Sequence, residues 1–180
     1  IKKNGVFGQV TVALGNRQWV EFAGIEANPH YETCVEAVNL ARREQVDFLL
    51  AVGGGSVIDA TKFIAAAASH EGDPWQIIAT FGGAVTGALP VGCVLTLAAT
   101  GSEMNQTSVI TRASSHDKLF FNSDFVRPVF SILDPATTCS LPVRQVANGV
   151  VDSMVHVLEQ YVTYPTNAKV QDRFAEGLLA

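Results

Sequence analysis

The sequence predicts an α/β fold, a largely parallel sheet with helices around it, followed by the start of an all-helical region. Three observations carry this. Continuous apolar runs of strand length recur at Phe48–Val52, Gly92–Leu97 and Val129–Leu133, the pattern of strands covered on both faces. A triple glycine, Gly53-Gly54-Gly55, ends the first run and opens a helical pattern. After Asp134-Pro135 strand patterns stop and two helical segments follow one another. We therefore expect an α/β domain at 1–134 and an incomplete helical one at 135–180.

Taken in order, Val6, Val10 and Leu14 recur four apart and predict a first helix ending near Asn16. Trp19–Phe22 has the character of a short strand, and Gly24-Ile25-Glu26-Ala27-Asn28-Pro29 that of a turn. His30–Glu44 predicts a helix with Val35, Val38 and Leu40 on its apolar side. Helix resumes from Ser56 to about Ser69, and Asp73-Pro74 marks a loop. Ser108–Arg112 and Lys118–Phe121 are shorter, more polar strands that suit a hairpin. Pro142 fits a first helical position, predicting a helix to about Val162, and Asn167–Ala180 predicts another.

The 180 residues are 48% hydrophobic and 16% charged, the balance of a globular chain with an apolar interior. A net charge of −5 with no Lys/Arg cluster argues against nucleic acid as a partner. No apolar run reaches membrane-spanning length, which argues against a membrane. The chain opens at Ile1 without a signal-peptide pattern, and we read it as an internal fragment of a cytoplasmic protein. Cys34, Cys93 and Cys139 stand at unrelated spacings without a Cys-x-x-Cys pair, as expected of reduced thiols.

Two features carry candidate chemistry. In Val52-Gly53-Gly54-Gly55-Ser56-Val57-Ile58-Asp59 the glycines would let backbone amides approach a pyrophosphate at a helix N-terminus. The same text also reads as a tight turn with Ser56-x-x-Asp59 as a capping-box variant. A second polar stretch, Thr96 to Asn105, follows the next strand and offers hydroxyls around Gly101. Lys118 is one of few cations nearby, although a lone lysine on a short strand is usually just solvated. The second feature is Asp152 and His156, four apart on one helix face, able to grip a divalent metal together. Gln145, Gly149 and Glu159 share their stripe, and such a stripe often merely faces water. The apolar arc around it is wide, however, roughly 200° at ~100° per residue, which suggests a buried helix whose polar stripe opens onto a cleft.

In sequence order, Gly24–Pro29, Ala51–Lys62, Leu95–Glu103, Leu133-Asp134-Pro135 and Gln145–Asp152 resemble the iron-dependent (group III) alcohol dehydrogenase family. The likeness is strongest to its butanol dehydrogenase and NADPH-dependent aldehyde reductase branch. The resemblance implies a cytoplasmic oxidoreductase moving hydride between a primary alcohol or aldehyde and NADP (or NAD), homodimeric when full length. It implies that Gly54, Gly55 and Ser56 receive the pyrophosphate and that Asn28 lies near the adenine end. Thr96, Ser102 and Lys118 would line the ribose and nicotinamide side, with Asp59 close by. Asp152 and His156 would be two of four ligands to Fe²⁺ or Zn²⁺. His30, His70 and His116 match no ligand position, and the family's first strand and its glycine loop are missing. Relatives of the dehydroquinate synthase and glycerol dehydrogenase type, or an inactive truncated fragment, are the alternatives.

Overall fold

The computed structural model describes residues 1–163 and 167–180. The chain forms two compact units, Ile1–Cys139 and Ser140–Ala180. The first contains α1 (Val6–Leu14), α2 (Tyr31–Arg43), β1 (Leu49–Gly54), α3 (Gly55–Ser69), α4 (Trp75–Ala79), β2 (Val91–Leu97), β3 (Thr107–Arg112), β4 (Asp117–Asn122) and β5 (Phe130–Ile132). The second contains α5 (Val143–Thr163) and α6 (Lys169–Leu179).

The sheet is three-stranded and wholly parallel, in the order β1-β2-β5. β1 and β2 run in step from Leu49 opposite Val91 to Gly53 opposite Leu95, then slip so that Gly54 faces Leu97. The ladder is thus broken where the glycines begin. β3 and β4 form a separate antiparallel hairpin.

α3 is the spine of this unit because it is apolar on nearly every side. Ile58 and Ala65 pack with Ala51, Val91, Cys93 and Leu95 of the sheet. Ala60, Phe63, Ile64, Ala66 and Ala67 pack in a second cluster with Cys34 and Val38 of α2 and Ile110 and Phe121 of the hairpin. The Phe63 ring meets Tyr31 and Phe121 edge-on, with centroids 5.7 and 6.3 Å away, a favoured aromatic geometry. One helix therefore fixes the sheet, α2 and the hairpin against each other.

Three expectations need correction. Trp19–Phe22 forms no strand. Its residues find side-chain partners instead of a sheet edge: Trp19 stacks edge-on against Phe7, Glu21 pairs with Lys2 at 2.7 Å, and Phe22 packs on the core. The segment after Asp73-Pro74 is not all loop, because Asp73 Oδ1 accepts the Trp75 N–H and starts the short helix α4, as an acidic residue ahead of a helix commonly does. The third concerns β5: Val129–Leu133 has the apolar pattern of a strand covered on both faces, yet Val129, Phe130, Ile132 and Leu133 are 63%, 45%, 50% and 55% exposed. In the second unit no residue of α5 is buried, and Val146, Val150, Val151 and Val155 stand more than half exposed. Within its unit α5 packs on α6, with the Tyr161 hydroxyl donating to Glu176 at 3.1 Å. A single partner helix covers one side of a wide apolar arc and leaves the rest open. Among the described residues, no helix is long and apolar enough to cross a membrane.

Truncating Phe63, which is fully buried where α2, α3 and β4 meet, should cost about 3–5 kcal/mol. Urea denaturation of Phe63→Ala should show a lower midpoint, with loss of the near-ultraviolet aromatic signal.

Candidate functional site

The glycine turn joins the carboxyl end of β1 to the start of α3. No side chain caps α3, whose preceding residue is Gly54, so its first-turn N–H groups are available to a ligand. Side chains would not fit here. A Cβ on Gly55 would stand 2.4 Å from Thr100 Oγ1, and one on Gly53 would stand 2.6 Å from Val57. The turn and the segment after β2 are thus in closest contact at Gly55 and Thr100.

Ser56 and Asp59 do not form the capping-box variant that their spacing allowed. Ser56 Oγ accepts the backbone N–H of Asn28 at 3.3 Å, across from the Gly24–Pro29 turn. Asn28 has φ 57°, a left-handed conformation that asparagine tolerates better than most side chains. Its Oδ1 accepts a hydrogen bond from Lys118 Nζ at 2.8 Å. Asn28, Ser56 and Lys118 therefore come together from three separate elements on one flank of the turn. Lys118 is exposed, and this partner is neutral, so the hydrogen bond leaves its charge uncancelled.

On another flank lies a buried polar network. Asp59 Oδ1 accepts the Ser102 hydroxyl at 2.5 Å, and Oδ2 accepts the Val109 N–H at 3.0 Å. The Asp59 carbonyl accepts the Ser108 hydroxyl at 2.8 Å. Lys62, with 0% exposure, donates to Ser102 Oγ, Asn105 Oδ1 and Thr107 O, each at 2.9 Å. Burial pulls the Lys62 ammonium down to about 8, against the opposing pull of Asp59. Burial also raises the Asp59 carboxyl, although the Ser102 and Val109 hydrogen bonds and the Lys62 charge act to lower it. Each group resists being charged in a site that withholds water.

Of the eight residues expected to face a nucleotide, Gly54, Gly55, Ser56, Asn28 and Lys118 gather at the turn. Asp59 and Ser102 lie in the network, where Ser102 is only 2% exposed. Thr96 sits half-buried near the end of β2. Sequence reading passed over Lys62 and Thr100. Lys62 was signalled by composition, for Asp59 and Lys62 are the sole charged residues of the otherwise apolar helix Gly55–Ser69. On a helix covered by the sheet, α2 and the hairpin, such groups need polar partners from other elements. Thr100 carried no such signal, because its closeness to Gly55 is a tertiary fact.

The second unit carries the other candidate pair. His156 Nε2 and Asp152 Oδ2 lie 3.7 Å apart on one face of α5, with side chains 67% and 57% exposed. Metal bonds to imidazole nitrogen and carboxylate oxygen are ~2.0–2.2 Å, so one ion could touch both donors at that separation. Among the described residues, no group of three or more His, Cys, Asp or Glu side chains is arranged to hold a metal. The pair by itself would fill two positions around an ion.

Residues 1–135 match the family model for iron-containing alcohol dehydrogenases. The chain is 59% identical to the NADPH-dependent aldehyde reductase YqhD of Escherichia coli over 181 residues, covering 99% of this chain and 47% of that protein. A solved substrate- and cofactor-free form of the same reductase superposes with a TM-score of 0.86 at 56% identity, over 98% of this chain and 45% of that one. An NADH-dependent butanol dehydrogenase A from Thermotoga maritima superposes equally well, with a TM-score of 0.86 at 40% identity, over 99% and 45% of the two chains. The chain thus spans about half the length of the relatives it matches.

The lowered Lys62 value has a signed consequence for stability. Between about 8 in the folded protein and the ordinary 10.5, the unfolded chain binds the extra proton, so unfolding free energy rises with pH across that window and is level below it. Denaturant midpoints of the parent relative to Lys62→Met should therefore increase from pH 7.5 to about 9.5. A flat difference would show that Lys62 keeps its ordinary affinity for the proton.

Proposed function

The chain belongs to the iron-containing alcohol dehydrogenase family, and on that premise we propose that it is the nucleotide-holding part of a metal-dependent oxidoreductase. The intact protein would interconvert a primary alcohol and its aldehyde, using NADP in preference to NAD. The observation that carries this is the uncapped glycine turn ahead of α3, pressed so closely on Thr100 that a side chain at Gly55 would have to displace it. Such a turn suits a diphosphate, since only backbone N–H groups meet the ligand. The preference for NADP rests on the 59% identity to an NADPH-dependent reductase.

In this reading the N–H groups at Gly54, Gly55 and Ser56 take the pyrophosphate. Asn28 bounds the adenine side and holds Lys118 in place. Lys118 offers its ammonium to a ribose or phosphate oxygen, and Thr96 lines the same channel. Ser102, whose hydroxyl is committed to Asp59 and Lys62, acts by shape rather than by direct contact. Asp59 lies close to the nicotinamide side and holds Ser102 and the start of the hairpin in place. In the second unit Asp152 and His156 would hold the metal, iron by family, with zinc the alternative occupant. When bound, the nicotinamide accepts or supplies a hydride and the divalent ion acts as a Lewis acid on the substrate oxygen.

Net oxidation of NADPH with butanal, and its reversal with butanol, tests the proposal in the full-length protein; absence of nicotinamide turnover in both directions would refute it. Asp152→Ala should lower bound metal, measured by atomic spectroscopy, and cut turnover by at least ~100-fold while nucleotide affinity stays within about twofold. Gly55→Val should do the reverse, keeping the metal and weakening NADPH binding about tenfold or more, because the new side chain must displace Thr100.

A further inference from the structure

We infer that Lys62 is a positioning residue that sets the gap between the glycine turn and the segment 98–102, and through that gap the affinity for the nicotinamide nucleotide. The inference rests on the nucleotide-binding role proposed for the turn.

An ammonium has three donors and no acceptor. Lys62 spends all three, on Ser102 Oγ, Asn105 Oδ1 and Thr107 O, and it is closed to solvent. It has no hydrogen to offer a ligand and no path to one. What it does is orient its neighbours. Because Lys62 occupies a lone pair of Ser102 Oγ, the Ser102 hydroxyl hydrogen goes to Asp59 Oδ1. Lys62 and Asp59 lie three apart on α3, so Ser102 is gripped twice by one rigid helix. The Ser102 N–H in turn donates to Thr100 Oγ1 at 3.3 Å. Thr100 Oγ1 is the atom that stands where a Gly55 side chain would go. A continuous series of contacts therefore runs from the buried ammonium through Ser102 and Thr100 to the glycine turn, and it starts and ends on α3.

The stretch just beyond that segment, Glu103 to Gln106, has further ties of its own. The Ser131 hydroxyl donates to the Glu103 carbonyl at 2.6 Å, and Arg127 donates to the Met104 carbonyl at 3.2 Å and to Gln106 Oε1 at 2.8 Å. Removing the ammonium would leave those ties intact and leave Ser102 with one grip from α3 in place of two, loosening 98–102, where the nucleotide is proposed to lie. Burying a cation is costly, and an apolar residue of similar length would serve packing alone at lower cost. The cation is explained by the three acceptors it must place.

The test uses the full-length holoenzyme and Lys62→Met, Asn105→Ala and Ile77→Ala. Ile77 is fully buried in α4 and belongs to the cluster that packs α3 with α2 and the hairpin, so it reports general loosening. NADPH dissociation constants are read from nicotinamide fluorescence, together with metal content, aldehyde KM and thermal midpoint. Lys62→Met should weaken NADPH about tenfold or more and Asn105→Ala about threefold. Metal content and aldehyde KM at saturating nucleotide should stay within about twofold, and Ile77→Ala should keep parental affinity despite a lower midpoint. The inference falls if folded Lys62→Met binds NADPH as the parent does, or if Ile77→Ala weakens binding equally. Should Lys62→Met fail to fold, unchanged affinity in Asn105→Ala overturns it. A parent that binds no nicotinamide nucleotide overturns the function proposed for the turn and this inference with it; a parent that binds normally beside an unaffected Lys62→Met overturns only the role of Lys62.

Discussion

A buried ammonium cannot be left short of acceptors, and much of the first unit is arranged around that requirement. Lys62 draws the segment after β2 onto α3 by three hydrogen bonds, while Asp59, one turn earlier, draws in the first residues of the hairpin through the Val109 N–H and the Ser108 hydroxyl. The apolar packing of α3 could hold sheet, α2 and hairpin together in several nearby arrangements, since hydrophobic contact is not directional. The polar network selects one of them. The glycine turn inherits its shape from that selection, as it is the first turn of the same helix.

Most of the fold was legible in the sequence for a simple reason: its elements are buried, and burial writes periodicity. Phe48–Val52, Gly92–Leu97 and Val129–Leu133 stood out as continuous apolar runs, and all three appear in the sheet, although only β2 is covered along most of its length and Val129–Leu133 stays largely exposed. α2 and α3 lay within a residue or two of their predicted ends. The failures have local causes. Trp19–Phe22 has strand composition but its side chains are satisfied by Phe7, Lys2 and the core, so it needs no neighbour. α4 is too short for any period to show, and depends on one Asp73 hydrogen bond. α5 was right in extent, and its wide apolar arc is covered only on the side that α6 reaches.

The site was legible in part. Residues next to one another in sequence, Gly53 to Ser56, announced themselves, and Asp152 and His156 did so by helical spacing. The meeting of Asn28 with Ser56 and Lys118 spans up to 90 positions and was not foreseen, since the resemblance assigned Asn28 and Lys118 to different ends of the nucleotide. Ser102 was singled out as a ligand contact, yet its side chain is enclosed and its hydroxyl already engaged, so its part is architectural. Lys62 was passed over because a lysine in a helix ordinarily reads as solvent-facing. Its neighbours, a run from Phe63 to Ala68 without a polar atom in any side chain, were the available warning.

Because α3 carries the turn at its first residue and both anchoring groups within its first eight, its length there is not free to drift. One added residue between Gly55 and Asp59 would rotate everything downstream by ~100° relative to the turn, swinging acid and ammonium away from Ser102 and offering the alanine face to polar atoms. A deletion would do the same in the opposite sense. Substitutions can be absorbed one contact at a time, but the phase of this helix is shared by every surface it touches. Insertions and deletions in relatives should therefore be confined to solvent-facing connections such as the Ser114–His116 bend between β3 and β4, where the backbone is exposed and no such phase has to be kept.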